Sequence, residues 1–132
     1  MNVIDAIKEK MQKYPHVKYN VTENSVTVFP TSDSGFDVSL YFGGPDAYEP
    51  FEVYFNGWHE HFADAEQALK CFAFGLSAEC RLKVTIRGGK PFKWTVEFLR
   101  DGVWHRDATT ALFAFRFWKK KEVRYLQNDL IK

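Results

Sequence analysis

The stretch Arg81–Asp107, RLKVTIRGGKPFKWTVEFLRDGVWHRD, decides the fold. Its apolar residues fall at every second position, Leu82, Val84 and Ile86 before the glycines and Trp94, Val96 and Phe98 after them, which is the period of a half-buried strand. A three-residue Gly88-Gly89-Lys90 loop pairs Ile86 with Phe92, Val84 with Trp94 and Leu82 with Val96, all on one face. Asp101-Gly102 is the strongest hairpin signal in the chain. A two-residue turn there sets Phe98 opposite His105, Leu99 opposite Trp104 and Glu97 opposite Arg106, the last as a cross-strand salt pair. Strands joined by such tight turns run antiparallel.

Immediately upstream the period changes. In the segment from Phe62 to Leu76, Phe62, Ala65, Leu69, Phe72 and Leu76 recur at helical spacing, with Ala68 and Ala73 beside them. Asp64 has the position of an N-cap, Gln67 lies three residues on as in a capping box, and Glu66 places a negative charge in the first turn. The spacing predicts a central helix over about 64–76 with Leu69 and Phe72 buried against the sheet, and Asn56-Gly57 supplies the reversal from strand to helix. Further back, a turn at Glu23-Asn24 sets Val21 opposite Val26 and Tyr19 opposite Val28. Phe36, Val38, Leu40 and Phe42 then alternate, as do Phe51, Val53 and Phe55, completing a four-stranded meander. Val3, Ile4, Ile7, Met11 and Tyr14 form one stripe of an amphipathic N-terminal helix that Pro15 closes.

Downstream, Phe113, Phe115 and Phe117 alternate in ALFAFRFW, KKKE reads as a turn, and residues 122–131 read as a last strand in preference to a short helix. The fold class expected is therefore α+β. It comprises an N-terminal helix, four antiparallel strands, a central helix and about four more antiparallel strands, with the sheet packed on the central helix and residues 1–132 in a single domain.

The 132 residues are 45% hydrophobic and 17% aromatic, which excludes a disordered chain. No apolar run is long enough to span a membrane, and MNVIDAIKEK has no apolar h-region, so the expectation is a soluble cytoplasmic protein with no membrane contact. Cys71 and Cys80 lack metal-ligand spacing and read as free thiols. The net charge of +1 conceals a division along the chain: residues 1–79 hold 5 Lys/Arg against 12 Asp/Glu, and residues 80–132 hold 13 against 5. Such asymmetry suits a basic binding face, pairing of the two halves within one fold or a salt-sensitive homodimer.

Several groups of residues carry chemical interest. In HEHFAD, His59 and His61 project to one side if extended, and the Asp64 carboxylate supplies a third ligand for a metal; the competing reading assigns Asp64 to the helix cap. His105 and Asp107 share the apolar side of Trp94, the arrangement of a general base with its orienter, although no nucleophile partner accompanies them. Trp58, Trp94, Trp104 and His105 are the residues expected to line an aromatic ligand cleft. Arg116, Lys119, Lys120, Lys121 and Arg124, interleaved with rings, form a basic patch of the kind that holds single-stranded nucleic acid. Neither a GxGxxG nor a Walker-type sequence is present, nor any RNP, KH or zinc-finger pattern. The expectation is non-catalytic binding of a partner protein or small apolar ligand, without a cofactor. The alternatives are a metal-assisted hydrolase using the His59/His61 region and nucleic-acid binding by the basic C-terminal half.

Overall fold

The computed structural model describes residues 2–44, 48–111 and 120–131, with residues 108–111 given by their backbone. Among these, two helices and nine strands occur, and the strands form two antiparallel sheets, so the class is α+β. Helix α1 (Val3–Met11) is capped by Asn2, whose Oδ1 accepts from the Asp5 N–H at 2.9 Å. Its buried stripe is Val3, Ile4, Ile7 and Met11.

The first sheet has the order β1-β2-β3-β4-β5, from β1 (Tyr19–Val21), β2 (Ser25–Val28), β3 (Val38–Tyr41), β4 (Phe51–Phe55) and β5 (Trp58–Phe62). Tyr19 faces Val28 and Val21 faces Val26, the register the Glu23-Asn24 turn predicts. The sheet has five strands and not four. Asn56-Gly57 turns β4 into β5, with Phe55 opposite Trp58, and does not lead into the helix. The Gly57 position admits no side chain, because a Cβ there would overlap the Trp94 ring.

Helix α2 (Ala65–Leu76) follows, capped by Asp64, whose Oδ1 accepts from the Glu66 N–H at 3.2 Å. The cap is as expected, but the buried face is Ala68, Phe72, Gly75 and Leu76. Leu69 is only half-buried and lines a groove towards α1.

The second sheet has the order β8-β7-β6-β9, from β6 (Cys80–Arg87), β7 (Lys90–Arg100), β8 (Val103–Ala111) and β9 (Lys121–Gln127). Two registers hold as predicted: Leu82 with Val96 and Val84 with Trp94 on one side, Phe98 with His105, Leu99 with Trp104 and Glu97 with Arg106 on the other. The β6–β7 loop is two residues, not three. Gly88 and Gly89 both have positive φ, 59 and 78°, as a tight primed turn requires, and Arg87 faces Lys90. A bulge follows, so that Pro91 and not Phe92 stands opposite Ile86. The meander also breaks at the C-terminus. β9 crosses the sheet to pair with β6, Leu126 opposite Leu82, and the chain beyond it is irregular to Ile131. The expected strand at Phe113, Phe115 and Phe117 lies outside the described residues.

One buried cluster unites the sheets. Val28, Leu40, Val53, Phe55 and Trp58 from the first meet Cys80, Leu82, Val84 and Val96 from the second, with Ile7, Met11, Phe72 and Leu76 from the helices. The expected single sheet on one helix is thus a pair of sheets, of which the first carries α2 across β3, β4 and β5.

Candidate binding face

Strand alternation that buries Leu82, Val84 and Ile86 necessarily sends Arg81, Lys83, Thr85 and Arg87 to the opposite face. The register extends that face across the sheet. Arg81 stands beside Glu97 and Gln127, Lys83 beside Thr95 and Tyr125, and Thr85 beside Lys93 and Val123; Glu97 in turn faces Arg106, and Arg87 faces Lys121. A shallow cavity of about 300 Å³ opens here, floored by Thr85 and Thr95, which are 4% and 3% exposed beneath the longer cations.

The electrostatics of this face are one-sided. Glu97 is its carboxylate, and of the two arginines that the register sets beside it Arg81 binds it, Nε at 2.6 Å; the salt pair expected with Arg106 does not form. The Arg81 guanidinium lies between two rings, 4.5 Å from the Trp104 centroid and 4.1 Å from that of Tyr125. Each contact is a cation–π pair that fixes a ring at the rim. Besides Arg81, the cations that line the face are Lys83, Arg87, Lys93, Arg106 and Lys121. Lys83, Lys93, Arg106 and Lys121 have no ion-pair partner among the described residues. The Arg87 guanidinium lies 5.9 Å from the Phe92 ring, which the bulge turns onto this face.

The expected basic patch is thereby redistributed. Lys121 belongs to the face, and Lys120 is exposed beside it. Arg124 points the other way, 3.7 Å from Glu122, while Arg116 and Lys119 lie outside the described residues. Arg81, Lys83, Arg87, Lys93 and Arg106 belong to the face but not to the contiguous KKK that dominates the sequence pattern. Their signal was the cation at alternate positions of RLKVTIR, repeated across a readable hairpin.

The other candidates do not converge. Trp58 is 2% exposed and stacks on Phe55 at 4.7 Å, so it is a core residue. Trp94 packs on Gly57 at the core face, and Trp104 is on the opposite face, so Trp58, Trp94 and Trp104 line no common cleft. His105 is exposed and stacks on Phe98, centroids 5.2 Å apart. Val96 pairs with Ala108, which leaves Asp107 as the extra residue of a bulge, and no ion pair joins it to His105.

His59 and His61 do share the outer face of the first sheet, rings 6.0 Å apart. His61 Nδ1 lies 3.3 Å from Glu52 Oε2, the His59 ring packs at a tilt against Tyr54, and Asp64 is engaged as the cap. Among the described residues no group of three or more His, Cys, Asp or Glu could hold a metal ion. The two cysteines are free thiols; burial, reinforced by Glu60 and Asp107, pushes Cys71 up to about 12, and burial likewise pushes Cys80 up. Neither is a thiolate nucleophile near neutrality.

No helix of the described residues is long and apolar enough to cross a membrane. No protein-family model, curated protein or solved structure matches the chain.

Proposed function

We propose that the chain acts as one α+β binding domain of the cytoplasm, without catalysis, and takes single-stranded nucleic acid across the face of its second sheet that carries Lys83 and Lys93. The observation that carries this reading is the set Lys83, Arg87, Lys93, Arg106 and Lys121 on one face, with Trp104 and Tyr125 at its rim. Cations track a phosphate backbone and ring faces stack on bases, a combination that needs no base-specific code. An antiparallel sheet offers these groups from a rigid frame, with side chains two residues apart about 6.6 Å along the strand. Two free thiols suit a reducing compartment.

Fluorescence anisotropy with a labelled single-stranded oligothymidylate tests it. The wild type is expected to bind at low salt, and Lys83→Glu with Lys93→Glu to weaken binding by at least about tenfold, since each reversal both removes an attraction and adds a repulsion. Equal binding by the reversed variant refutes the assignment. Sedimentation in the same buffers addresses the competing anion, the acidic first half of a second copy: self-association without oligonucleotide binding would make the face a homodimer contact instead.

A second reading rests on the groove between α1 and α2, about 300 Å³, lined by Ile7, Met11, Leu69, Phe72, Ala73 and Leu76. A small apolar ligand has its best-formed site there, not at the tryptophans. Saturable binding of an apolar fluorophore, weakened by Leu69→Asp, is the corresponding test.

A further inference from the structure

The first sheet carries a separate cavity on its outer face, of about 340 Å³, where the ends of β3 and β4 approach the Asn24 turn. Its chemistry is the reverse of the basic face. Three rings, Tyr41, Phe42 and Tyr54, and two carboxylates, Glu49 and Glu52, line it, with His61 at one side. No lysine or arginine is among its described lining residues.

Two details bear on what the cavity can hold. Tyr41 and Tyr54 meet edge to face, centroids 5.4 Å apart and planes at 81°, so their π-faces point in two nearly perpendicular directions. A pair of ring faces at right angles is the corner of a cation box, because each face carries the negative lobe of the ring quadrupole. Glu52 stands opposite both Tyr41 and His61 in the ladder, and its side chain is only 22% exposed. The 3.3 Å contact with His61 Nδ1 holds that carboxylate in place beside the rings. A partly desolvated carboxylate attracts a cation more strongly than one in open water.

A metal ion is a poor match, since the described residues provide no group of three His, Cys, Asp or Glu that could hold one. The complement is a cation with apolar shoulders, small enough for a cavity at the lower end of the ligand-binding range. We propose that this cavity binds an organic monocation, an alkylammonium or guanidinium group, with Glu52 as counter-ion and the Tyr41 and Tyr54 rings as cation–π walls. The same chemistry is carried by a free amine and by a lysine or arginine side chain of a polypeptide. This site is independent of the polyanion face.

The test is an NMR titration of the whole chain with three probes: tetramethylammonium, n-butylammonium, and a Gly-Lys-Gly amide blocked at its N-terminus. Saturable shifts at the Tyr41, Tyr54 and His61 resonances are expected, with no such response to sodium chloride at equal ionic strength. Glu52→Gln and Tyr41→Leu should each weaken the binding, about tenfold for the first. Tyr41 is exposed, so its variant keeps the fold even if Glu52→Gln perturbs it. Tighter binding of the peptide than of n-butylammonium supports the site with a polypeptide side chain as its source, and equal binding supports it with a free amine. No saturable shift with any of the three probes, or undiminished binding by the variants that remain folded, overturns the proposal.

Discussion

Asn128 and Phe36, 92 positions apart in the chain, exchange two hydrogen bonds as if they were strand partners. The Phe36 N–H donates to Asn128 Oδ1 at 3.1 Å, and Asn128 Nδ2 donates to the Phe36 carbonyl at 3.0 Å. The same Nδ2 donates to the Gly75 carbonyl at 2.9 Å, so one buried amide ties the C-terminal segment to the loop before β3 and to the end of α2. Asn128→Ala strands buried backbone groups on both partners and should cost about 2–4 kcal/mol. Urea denaturation measures it, and a loss below about half a kcal/mol would mean the clasp opens without consequence.

Phe72 and Leu69 lie on the same helix and should respond differently. Phe72 is in the core, and Phe72→Ala is expected to cost about 3–5 kcal/mol. Leu69 is half-buried against the α1 groove, and Leu69→Ala should cost less than half as much. Equal losses in the same denaturant series would contradict this placement of the helix.

Glu60 predicts a pH effect of definite sign. Desolvation first, then the charges of Asp107 and Glu49, hold its carboxyl above its ordinary value. The folded chain therefore keeps a proton that the unfolded chain has released, and this contribution to stability is lost as pH rises through the window between the two values. Glu60→Gln should raise Tm at neutral pH, with the gain shrinking as pH falls below about 4.5, where both states are protonated. A gain of the same size at both ends would show that Glu60 does not titrate in the folded state as described.

Cys71 and Cys80 should resist alkylation. With both thiols pushed up by burial, the native chain at pH 8 presents almost no thiolate, and iodoacetamide should modify both cysteines at least about tenfold faster after unfolding than before. Mass spectrometry over a time course reads this directly; rapid labelling of Cys71 in the native chain would place it at an accessible surface.

What the sequence revealed was local. The Tyr19–Val28 and Leu99–Trp104 pairs follow from turn chemistry within ten residues, and the Asp64 cap from one side chain and the helix it starts. Strand β5 escaped because Glu60 occupies a core-side position between Trp58 and Phe62, opposite Val53, so HEH reads as a polar run and hides the alternation. The partner of β9 depends on Leu126 meeting Leu82 across a chain separation that no local pattern encodes. The bulges that displaced Phe92 and Asp107 are equally silent, since one extra residue in a strand changes neither composition nor period enough to notice. The basic face was legible in principle, because alternation fixes both sides of a strand. Reading only the apolar side of RLKVTIR left Arg81, Lys83 and Arg87 unassigned.

The salt dependence of oligonucleotide binding tests the central claim most directly. If Lys83, Arg87, Lys93, Arg106 and Lys121 each neutralise one phosphate, log K should fall against log salt with a slope of about −3.5, at roughly 0.7 per contact on a single strand. Lys83→Ala with Arg106→Ala should make the slope shallower by about 1.4. A slope near zero, or one that the double variant leaves unchanged, would contradict the assignment of this face.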